Sequence, residues 1–319
     1  MPEQTLSVID PSRLAEAVDD YRTCEFATMS RSGVPVAWPA VARVSPTGDE
    51  IVLTTSISFP QKAFNIRRDT RVALLFSDPT GSGRSDLPQV LVRGTAVCPP
   101  AIHPGTDRLE DYWHRLAQRQ PASTGYGRTA VGRWLFDWYY LRLVITVTPG
   151  EISVLPALAG TGPMAAPPLA RSDTGPFAAL GRELPRFTSA VLGTATAGEP
   201  PVLRRVRVRT DTRTGSYRVD PPDPAGLAAG PASLLLHSHD ERLWNQRVVG
   251  ALGSLSRTGD GWTFRPERLM PGMLLNNPLD GLRTLRRARA TAARYLDRRG
   301  LARPTVDWAA HRACTRPLP

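Results

Sequence analysis

The chain has 319 residues, of which 41% are hydrophobic, so it is long enough to form two ordinary domains. Its formal net charge is +11, but the arginines are scattered, and no zinc-finger, recognition-helix or RNA-binding signature accompanies them. Their densest cluster, residues 282–303, is interpreted as the solvated face of a helix. Nucleic acid is therefore not an expected partner, and binding through this arginine-rich region ranks last among the alternatives.

The cysteines argue against a disulfide framework and against a structural zinc site. Cys24, Cys98 and Cys314 are odd in number and widely spaced, and no Cys-x-x-Cys pair occurs. The first twenty residues are acidic and polar, unlike a signal peptide, and no apolar run is long enough to cross a bilayer. We expect a reduced, cytoplasmic protein that has neither a metal site nor a membrane partner.

The first half of the chain is predicted to be rich in β-strands. A short helix begins after its cap Asp10, and a strand, a turn and a second strand follow at residues 25–44. The next segments, in chain order, are a strand at 50–56, a helix that contains Lys62, strands at 71–76 and 89–97, a helix at 106–120 and a long closing strand at 138–155. The aromatic-rich segment 132–143 is interpreted as strand residues that either fill the core or border the ring of a ligand.

The second half repeats the order of elements of the first. Residues 189–208 parallel residues 25–44: each has a strand, a turn with Gly-x-Pro and a second strand that ends in alternating Val and Arg. This indicates duplication of a whole domain. The predicted boundaries are a first barrel at 1–155, a linker at 156–176, a second, degenerate barrel at 177–275 and a C-terminal amphipathic helix and tail at 276–319. In that helix Leu282, Leu285 and Leu296 are expected to face inward.

The two copies differ where the first copy has the only lysine of the chain. Lys62 is the single lysine among 40 basic residues, and the corresponding part of the second copy, "DPPDPAGLAAG", has no lysine and no room for a comparable helix. Ser58 and Gln61 form a predicted capping box for a helix at 59–68. Phe59, Ala63 and Ile66 are expected to face the core of the protein.

The start of this helix has the chemistry of a phosphate cradle. Lys62 and Asn65 are three residues apart and share a face of the helix, near the end where free backbone N–H groups favour an anion. Hydroxyls upstream and guanidinium groups downstream would add donors and positive charge: Thr54, Thr55, Ser56, Arg67 and Arg68. The alternative, equally open on spacing alone, is that Lys62 is an exposed helix residue and the capping box is only a cap.

Residues 54–76 carry a resemblance to a known family. Thr54-Thr55, Gln61-Lys62 and the run Asn-x-Arg-Arg-Asp-x-Arg-Val-x-Leu-Leu-Phe from Asn65 to Phe76 resemble the pyridoxamine 5′-phosphate oxidase-like superfamily of FMN-binding split barrels, which includes F420-dependent reductases. The resemblance spans about Phe26 to Val97. It implies a mostly β fold made of two tandem split β-barrels with short helices, the second barrel degenerate.

The resemblance also implies roles for individual residues. Lys62 matches the lysine that binds the cofactor phosphate, and Gln61 stands where an arginine often assists. Thr54 and Thr55 match residues near the ring and the ribityl chain, and Val36–Pro39, with Trp38, would run along the ring. Trp38 or Pro39 occupies the place of an arginine in pyridoxamine phosphate oxidases, so that particular substrate is not expected.

Split barrels usually dimerise with the flavin at the interface, so the second barrel is expected to supply the other wall of the site. The candidates there are His237, His239, Trp244, Asn245 and Arg247. Two histidines two residues apart on a strand also invite a metal or haem interpretation, although ordinary loop-end histidines are the more frequent case. His237 and Tyr126 are the candidate catalytic acids or bases.

The leading functional prediction is an FMN-dependent oxidoreductase that acts on a small organic molecule, by hydride or electron transfer at the flavin. An F420-dependent reductase is the first alternative, because the acidic tail of F420 suits the positive charge of the chain. A protein that binds haem or flavin without turnover is the second. The chain is expected to be either a monomer that forms an internal pseudo-dimer or a homodimer.

Overall fold

The computed structural model describes residues 7–84, 86–160, 162–170, 172–243, 245–259, 261–273 and 278–314. Most of the regular structure is β, arranged as two antiparallel sheets that follow each other along the chain, with a helix after the second one. The predicted fold class, two tandem barrels and a C-terminal helix, is therefore confirmed. No helix in the described ranges is long and apolar enough to span a membrane.

The first sheet has eight strands that run antiparallel to their neighbours. The order is β3-β2-β6-β7-β8-β5-β4, and β1 pairs with β8. The strands are β1 (Ser7–Val8), β2 (Cys24–Met29), β3 (Pro35–Ala40), β4 (Ala42–Val44), β5 (Ile51–Ser56), β6 (Arg71–Phe76), β7 (Gln89–Val97) and β8 (Arg142–Leu155).

The second sheet closes into a six-stranded barrel in the order β10-β11-β14-β13-β12-β9. Tyr217, Phe264 and Leu234 are fully buried in its core. The strands are β9 (Ala190–Thr194), β10 (Val202–Asp211), β11 (Ser216–Asp220), β12 (Gly230–Ser238), β13 (Arg247–Thr258) and β14 (Gly261–Met273).

The two sheets have the same cyclic order once β10 is matched to β3 and β4 together. The first half of β10 pairs with β9 and its second half with β11, while β3 pairs with β2 and β4 pairs with β5. In the first barrel the strand is interrupted at Val41, and Pro35 and Pro39 lie in β3, where proline cannot donate to a ladder. The turn glycines correspond as well: Gly33 has φ +74° and Gly198 has φ +84°.

The helices distinguish the two barrels. In the first barrel α2 lies between β5 and β6, and α3 and α4 lie between β7 and β8, whereas residues 221–229 and the turn at Gly259 join the corresponding strands of the second without a described helix. The helices are α1 (Leu14–Val18), α2 (Gln61–Arg68), α3 (Glu110–Arg119), α4 (Ala130–Tyr140), α5 (Gly175–Glu183), α6 (Pro278–Asp297) and α7 (Trp308–Cys314).

Three local predictions were wrong. Helix α2 begins at Gln61 after Pro60, and the Ser58 hydroxyl makes no capping hydrogen bond; Phe59 lies before the helix and is 48% exposed. Residues 132–140, predicted as strand, belong to α4, because their aromatic residues pack on α3 and on the C-terminal helices. Leu282 is 56% exposed, whereas Leu296 is buried as expected.

The barrels pack against each other through alanine and leucine side chains of the first and aliphatic side chains of the second. Ala27, Ala37 and Ala73 of the first sheet meet Leu203 and Leu235 of the second in one buried apolar cluster. Alanine lets two sheets approach closely, and the aliphatic partners fill the space between them.

The end of the chain returns to the first barrel. Tyr295 and Leu296 of α6 join the core of the first barrel, and the ring of Tyr295 stacks on Phe64 of α2. Arg303, just after α6, forms a two-bonded ion pair with Asp137 of α4. The C-terminal helix therefore covers the part of the first barrel that contains α2 and α4.

Candidate functional site

Lys62 is the second residue of α2 and lies beside the contact between the barrels. Its Nζ is 5.0 Å from the centroid of the Trp38 ring, a cation–π contact. Trp38 packs beside Val36 of its own strand and beside Leu252 and Met270 of the second barrel. The lysine amine is thus placed next to an aromatic ring at the junction of β3 with β13 and β14.

The Lys62 amine has no anionic partner among the described residues. The side chain is half-buried, and its burial together with the positive charge of Arg142 lowers the pKa of Lys62 to about 8. A buried cation without an anion is unfavourable, because the protein does not replace the hydration that the charge has lost. The position has the electrostatics of a site for an anion.

Arg142, at the start of β8, is the second cation of this region. It is only 7% exposed, and its Nε atom has no hydrogen-bond partner in the described part of the chain. Its guanidinium group lies over the rings of Tyr139 and Trp113, with distances of 4.1 and 5.2 Å from guanidinium carbon to ring centroid. In the ladder of β5 and β8 it stands opposite Ser56.

Hydroxyl groups lie close to Arg142, on the face of β5 that carries Thr54. Thr54 donates to the Tyr112 hydroxyl at 3.0 Å, which leaves the Tyr112 proton available for another acceptor. Burial raises the pKa of Tyr112, so this hydroxyl stays protonated. The Ser58 hydroxyl is buried without a partner among the described residues, and the buried Cys24 thiol is near enough to Lys62 to influence its pKa.

Most other predicted residues of the Lys62 helix are engaged elsewhere. The buried Asn65 amide donates to Thr28, and Gln61 donates to Asn65. Arg67 donates to the carbonyls of Cys98 and Pro99, and Arg68 to the carbonyl of Met29. Upstream, Thr55 donates to the carbonyl of Phe59, and Ser56 to the carbonyl of Trp138.

The outer face of α2 forms a second positive feature, an arginine groove of about 540 Å³. Arg299 of the C-terminal segment lies 5.3 Å from the Phe64 ring centroid and forms one wall. None of the described lining residues is acidic. The lining consists of Arg31, Gln61, Phe64, Arg67, Arg68 and Arg299. Gln61, Arg67 and Arg68 therefore face this groove, while Lys62 points toward Trp38.

The candidate residue His237 lies in a different place, a buried polar cluster between the barrels. Its Nε2 is 2.7 Å from an oxygen of the Glu25 carboxylate, and Arg205 donates to the same oxygen at 2.6 Å. Arg205 also donates to Ser77 and Ser189. Burial raises the pKa of Glu25, but the charge of Arg205 and the hydrogen bond from His237 outweigh it, so the pKa is lowered.

His237 and His239 both lie near the carboxylate of Asp78. His237 Nδ1 is 4.0 Å and His239 Nε2 3.7 Å from the Asp78 carboxylate. Within the described residues no group of three or more His, Cys, Asp or Glu side chains is arranged to hold a metal ion.

Two further predicted residues are Tyr126 and Trp244. Tyr126 is half-buried, stacked on Phe136 of α4 with ring centroids 4.5 Å apart, so it belongs to the aromatic packing around α3 and α4. Trp244 lies outside the described residues. The structure thus brings Lys62, Trp38 and Thr54 to one region and leaves His237 in another. Tyr126 lies 5.4 Å, between ring centroids, from Tyr139, the ring over which Arg142 lies.

Sequence reasoning missed Arg142 and Tyr112. Arg142 sits inside an apolar strand sequence, "LRLVITV", which is where a buried arginine is unexpected, and that was the available signal. Tyr112 gave no signal, because its proximity to Thr54 depends on how α3 folds back over β5.

Comparison with protein-family models finds no match, and comparison with curated proteins finds none either. Among solved structures, a conserved hypothetical protein from Mycobacterium tuberculosis is 23% identical over 49% of this chain and 89% of that chain, with a TM-score of 0.33. A protein named F420 reductase is 19% identical over 48% of this chain and 98% of that chain, with a TM-score of 0.30. A FAD-binding protein from Mesorhizobium loti is 14% identical over 47% of this chain and 95% of that chain, with a TM-score of 0.33.

Proposed function

We propose that the chain is a flavin-dependent oxidoreductase that acts on a small organic molecule, with FMN as cofactor and the cofactor phosphate held at Lys62. The observation that supports this most is the Lys62 amine, half-buried over Trp38 and without an anionic partner among the described residues. A lysine amine is a compact charge that binds phosphate well, and the first residues of α2 add free backbone N–H groups.

The residues present fit a phosphorylated aromatic cofactor. Lys62 would bind the phosphate, and Trp38 offers an aromatic surface beside it. Leu252 and Met270 of the second barrel pack behind Trp38 and would keep water from that side, so one chain could make the two-walled site that split barrels otherwise make as dimers. When bound, the cofactor ring would supply hydride or electron transfer.

An F420-dependent reductase is the second candidate, and the arginine groove favours it. F420 has an acidic tail, and the groove presents four guanidinium groups beside the Lys62 helix with no acid among its described lining residues. The two candidates share the phosphate contact at Lys62 and differ in whether the groove is used.

The test compares the parent with Lys62→Met, and with Arg209→Met as a control at an exposed arginine of the second barrel. The visible spectrum of the purified protein first identifies a bound flavin or F420, and titration of the cofactor-free protein with FMN and with F420 then gives the affinities. We expect Lys62→Met to lower cofactor affinity at least tenfold, because a hydrogen bond to a charged group contributes about 1.5–3 kcal/mol, and Arg209→Met to leave it unchanged. Parent protein that takes up neither cofactor, or equal affinity in Lys62→Met, contradicts the proposal.

A further inference from the structure

Three arginines are buried in the described part of the chain, and two of them are fully compensated. Arg205, 5% exposed, donates to the Glu25 carboxylate and lies 3.9 Å from that of Asp78. Arg204, 3% exposed, forms an ion pair with Asp223 and donates to backbone carbonyls. The protein therefore matches a buried guanidinium group with acceptors where its own fold requires one.

Arg142 is the exception. It is as buried as the other two, yet it has no carboxylate within ion-pair distance and no side-chain hydrogen bond among the residues that the structure describes. Its contacts are the π-faces of Tyr139 and Trp113, which hold the guanidinium plane but leave the buried Nε donor without an acceptor. Cation–π contacts compensate only part of the desolvation of a charge.

The position of Arg142 connects it to the Lys62 region. It stands opposite Ser56, the last residue of β5, and the loop that follows leads within five residues into α2 and Lys62. That loop packs on α4, where Phe59 meets the ring of Trp138, the neighbour of Tyr139. The two cations are close enough that the charge of Arg142 contributes to the lowered pKa of Lys62.

We propose that Arg142 is a second anion-binding residue of the Lys62 site, and that the group bound between the two cations is a dianion, a phosphate monoester, rather than a carboxylate. Two positive charges in a buried region are balanced by a group with close to two negative charges, which a phosphate monoester carries at neutral pH. A carboxylate would leave one of them uncompensated. Tyr112, whose proton is not needed by Thr54, is placed to add a neutral donor.

This inference rests on the proposed function only for the location of the site, and its test uses simpler probes. Inorganic phosphate and acetate are titrated by calorimetry at pH 7.5 into the cofactor-free parent, Arg142→Met, Lys62→Met and the Arg209→Met control. FMN is then titrated into the same four proteins. We expect the parent to bind one phosphate at least tenfold more tightly than acetate. Arg142→Met and Lys62→Met should each lower phosphate affinity at least tenfold, and Arg209→Met should leave it unchanged.

A conservative variant keeps the test independent of folding. Arg142→Lys retains the charge but loses the forked donor geometry, so it should bind phosphate with an affinity between those of the parent and Arg142→Met. Circular dichroism establishes that each variant is folded, and if Arg142→Met is not, the decision passes to Arg142→Lys. Parent-like phosphate affinity in the folded arginine variants overturns the inference, as does acetate binding equal to that of phosphate.

The outcomes for the two proposals are separable. Phosphate binding that depends on Arg142, in a protein that takes up neither FMN nor F420, supports the inference and overturns the proposed function. FMN binding with parent affinity in Arg142→Met does the reverse: it overturns the inference and leaves the proposed function in place.

Discussion

The cluster around Arg205 and the region around Lys62 and Arg142 are both buried and both contain guanidinium groups, but their charges are balanced in opposite ways. Arg205 lies against Glu25 and Asp78, with Ser77 and Ser189 as further acceptors, so the cluster between the barrels is complete within one chain. Around Lys62 and Arg142 the described residues supply cations, rings and hydroxyls but no carboxylate.

Under the proposed function, the difference separates a structural use of buried charge from a ligand-binding use. A buried ion pair that is completed internally fixes how two units fit together, because either partner alone would be unfavourable. A buried charge that is left incomplete lowers stability until something binds, and proteins tolerate that at functional sites. The presence of a titratable group in the interior does not distinguish the two uses; the presence of its partner does.

The largest expected effect tests whether the Arg205 cluster has a structural role. Arg205→Met would leave the carboxylates of Glu25 and Asp78 buried without their main partner, and the free energy of unfolding should fall by about 3–5 kcal/mol. Urea unfolding followed by circular dichroism measures this, with Arg209→Met as the control and Arg142→Met as the comparison at equal burial. If Arg205→Met is as stable as Arg142→Met, the distinction between the two clusters is wrong.

The next effect is a gain of stability, and it tests whether Lys62 is a buried cation that lacks an anion. Without ligand, Lys62→Met should be more stable than the parent by about 1–3 kcal/mol at pH 7, because the pKa of Lys62 is lowered from 10.5 to about 8 and each pKa unit corresponds to about 1.4 kcal/mol. Methionine keeps the length and packs over Trp38. Urea unfolding of the two cofactor-free proteins gives the difference.

The pH dependence provides the check on that prediction. Between pH 8 and 10.5 the unfolded parent binds the Lys62 proton more strongly than the folded parent, so the stability of the parent rises with pH over this window. Lys62→Met has no such group, and the difference between the two proteins should therefore shrink from pH 7 to pH 10. A difference that stays constant over this range would mean that Lys62 is hydrated in the folded protein and is not a buried cation.

The sequence was sufficient to predict the duplication, and it singled out one lysine as a candidate. The hairpins at residues 25–44 and 189–208 share glycine-containing turns and strand patterning, and both patterns are local, so they appear directly in the sequence. The absence of a helix at 221–229 was also predictable, because a Pro-rich segment of that length does not form one. Lys62 stood out because the chain uses arginine everywhere else.

The remaining parts of the site depend on contacts between segments far apart in the chain. Residues 132–140 alternate enough to suggest a strand, but packing on α3 and α7 makes them helical, and that packing positions Tyr139 against Arg142. Similarly, His237 was assigned to the site because it lies in the second barrel, and nothing local indicates that Glu25, 212 residues earlier, is its neighbour. Pairing across such separations is set by tertiary packing, not by local pattern.

The smallest expected effect concerns the hydroxyls of the Lys62 region. Thr54→Val keeps the shape of the side chain but removes the donor to Tyr112, so the Tyr112 hydroxyl is no longer oriented by it. One neutral hydrogen bond contributes about 1 kcal/mol, so phosphate affinity should fall about three- to tenfold, less than for Lys62→Met or Arg142→Met. Calorimetric titration with inorganic phosphate measures the change.

Thr55→Val is the matched control, because Thr55 donates to the carbonyl of Phe59, away from Tyr112. Loss of this hydrogen bond should change stability more than phosphate affinity. If Thr55→Val weakens phosphate binding more than Thr54→Val does, the anion lies on the other face of β5, and Tyr112 is a residue of the core alone.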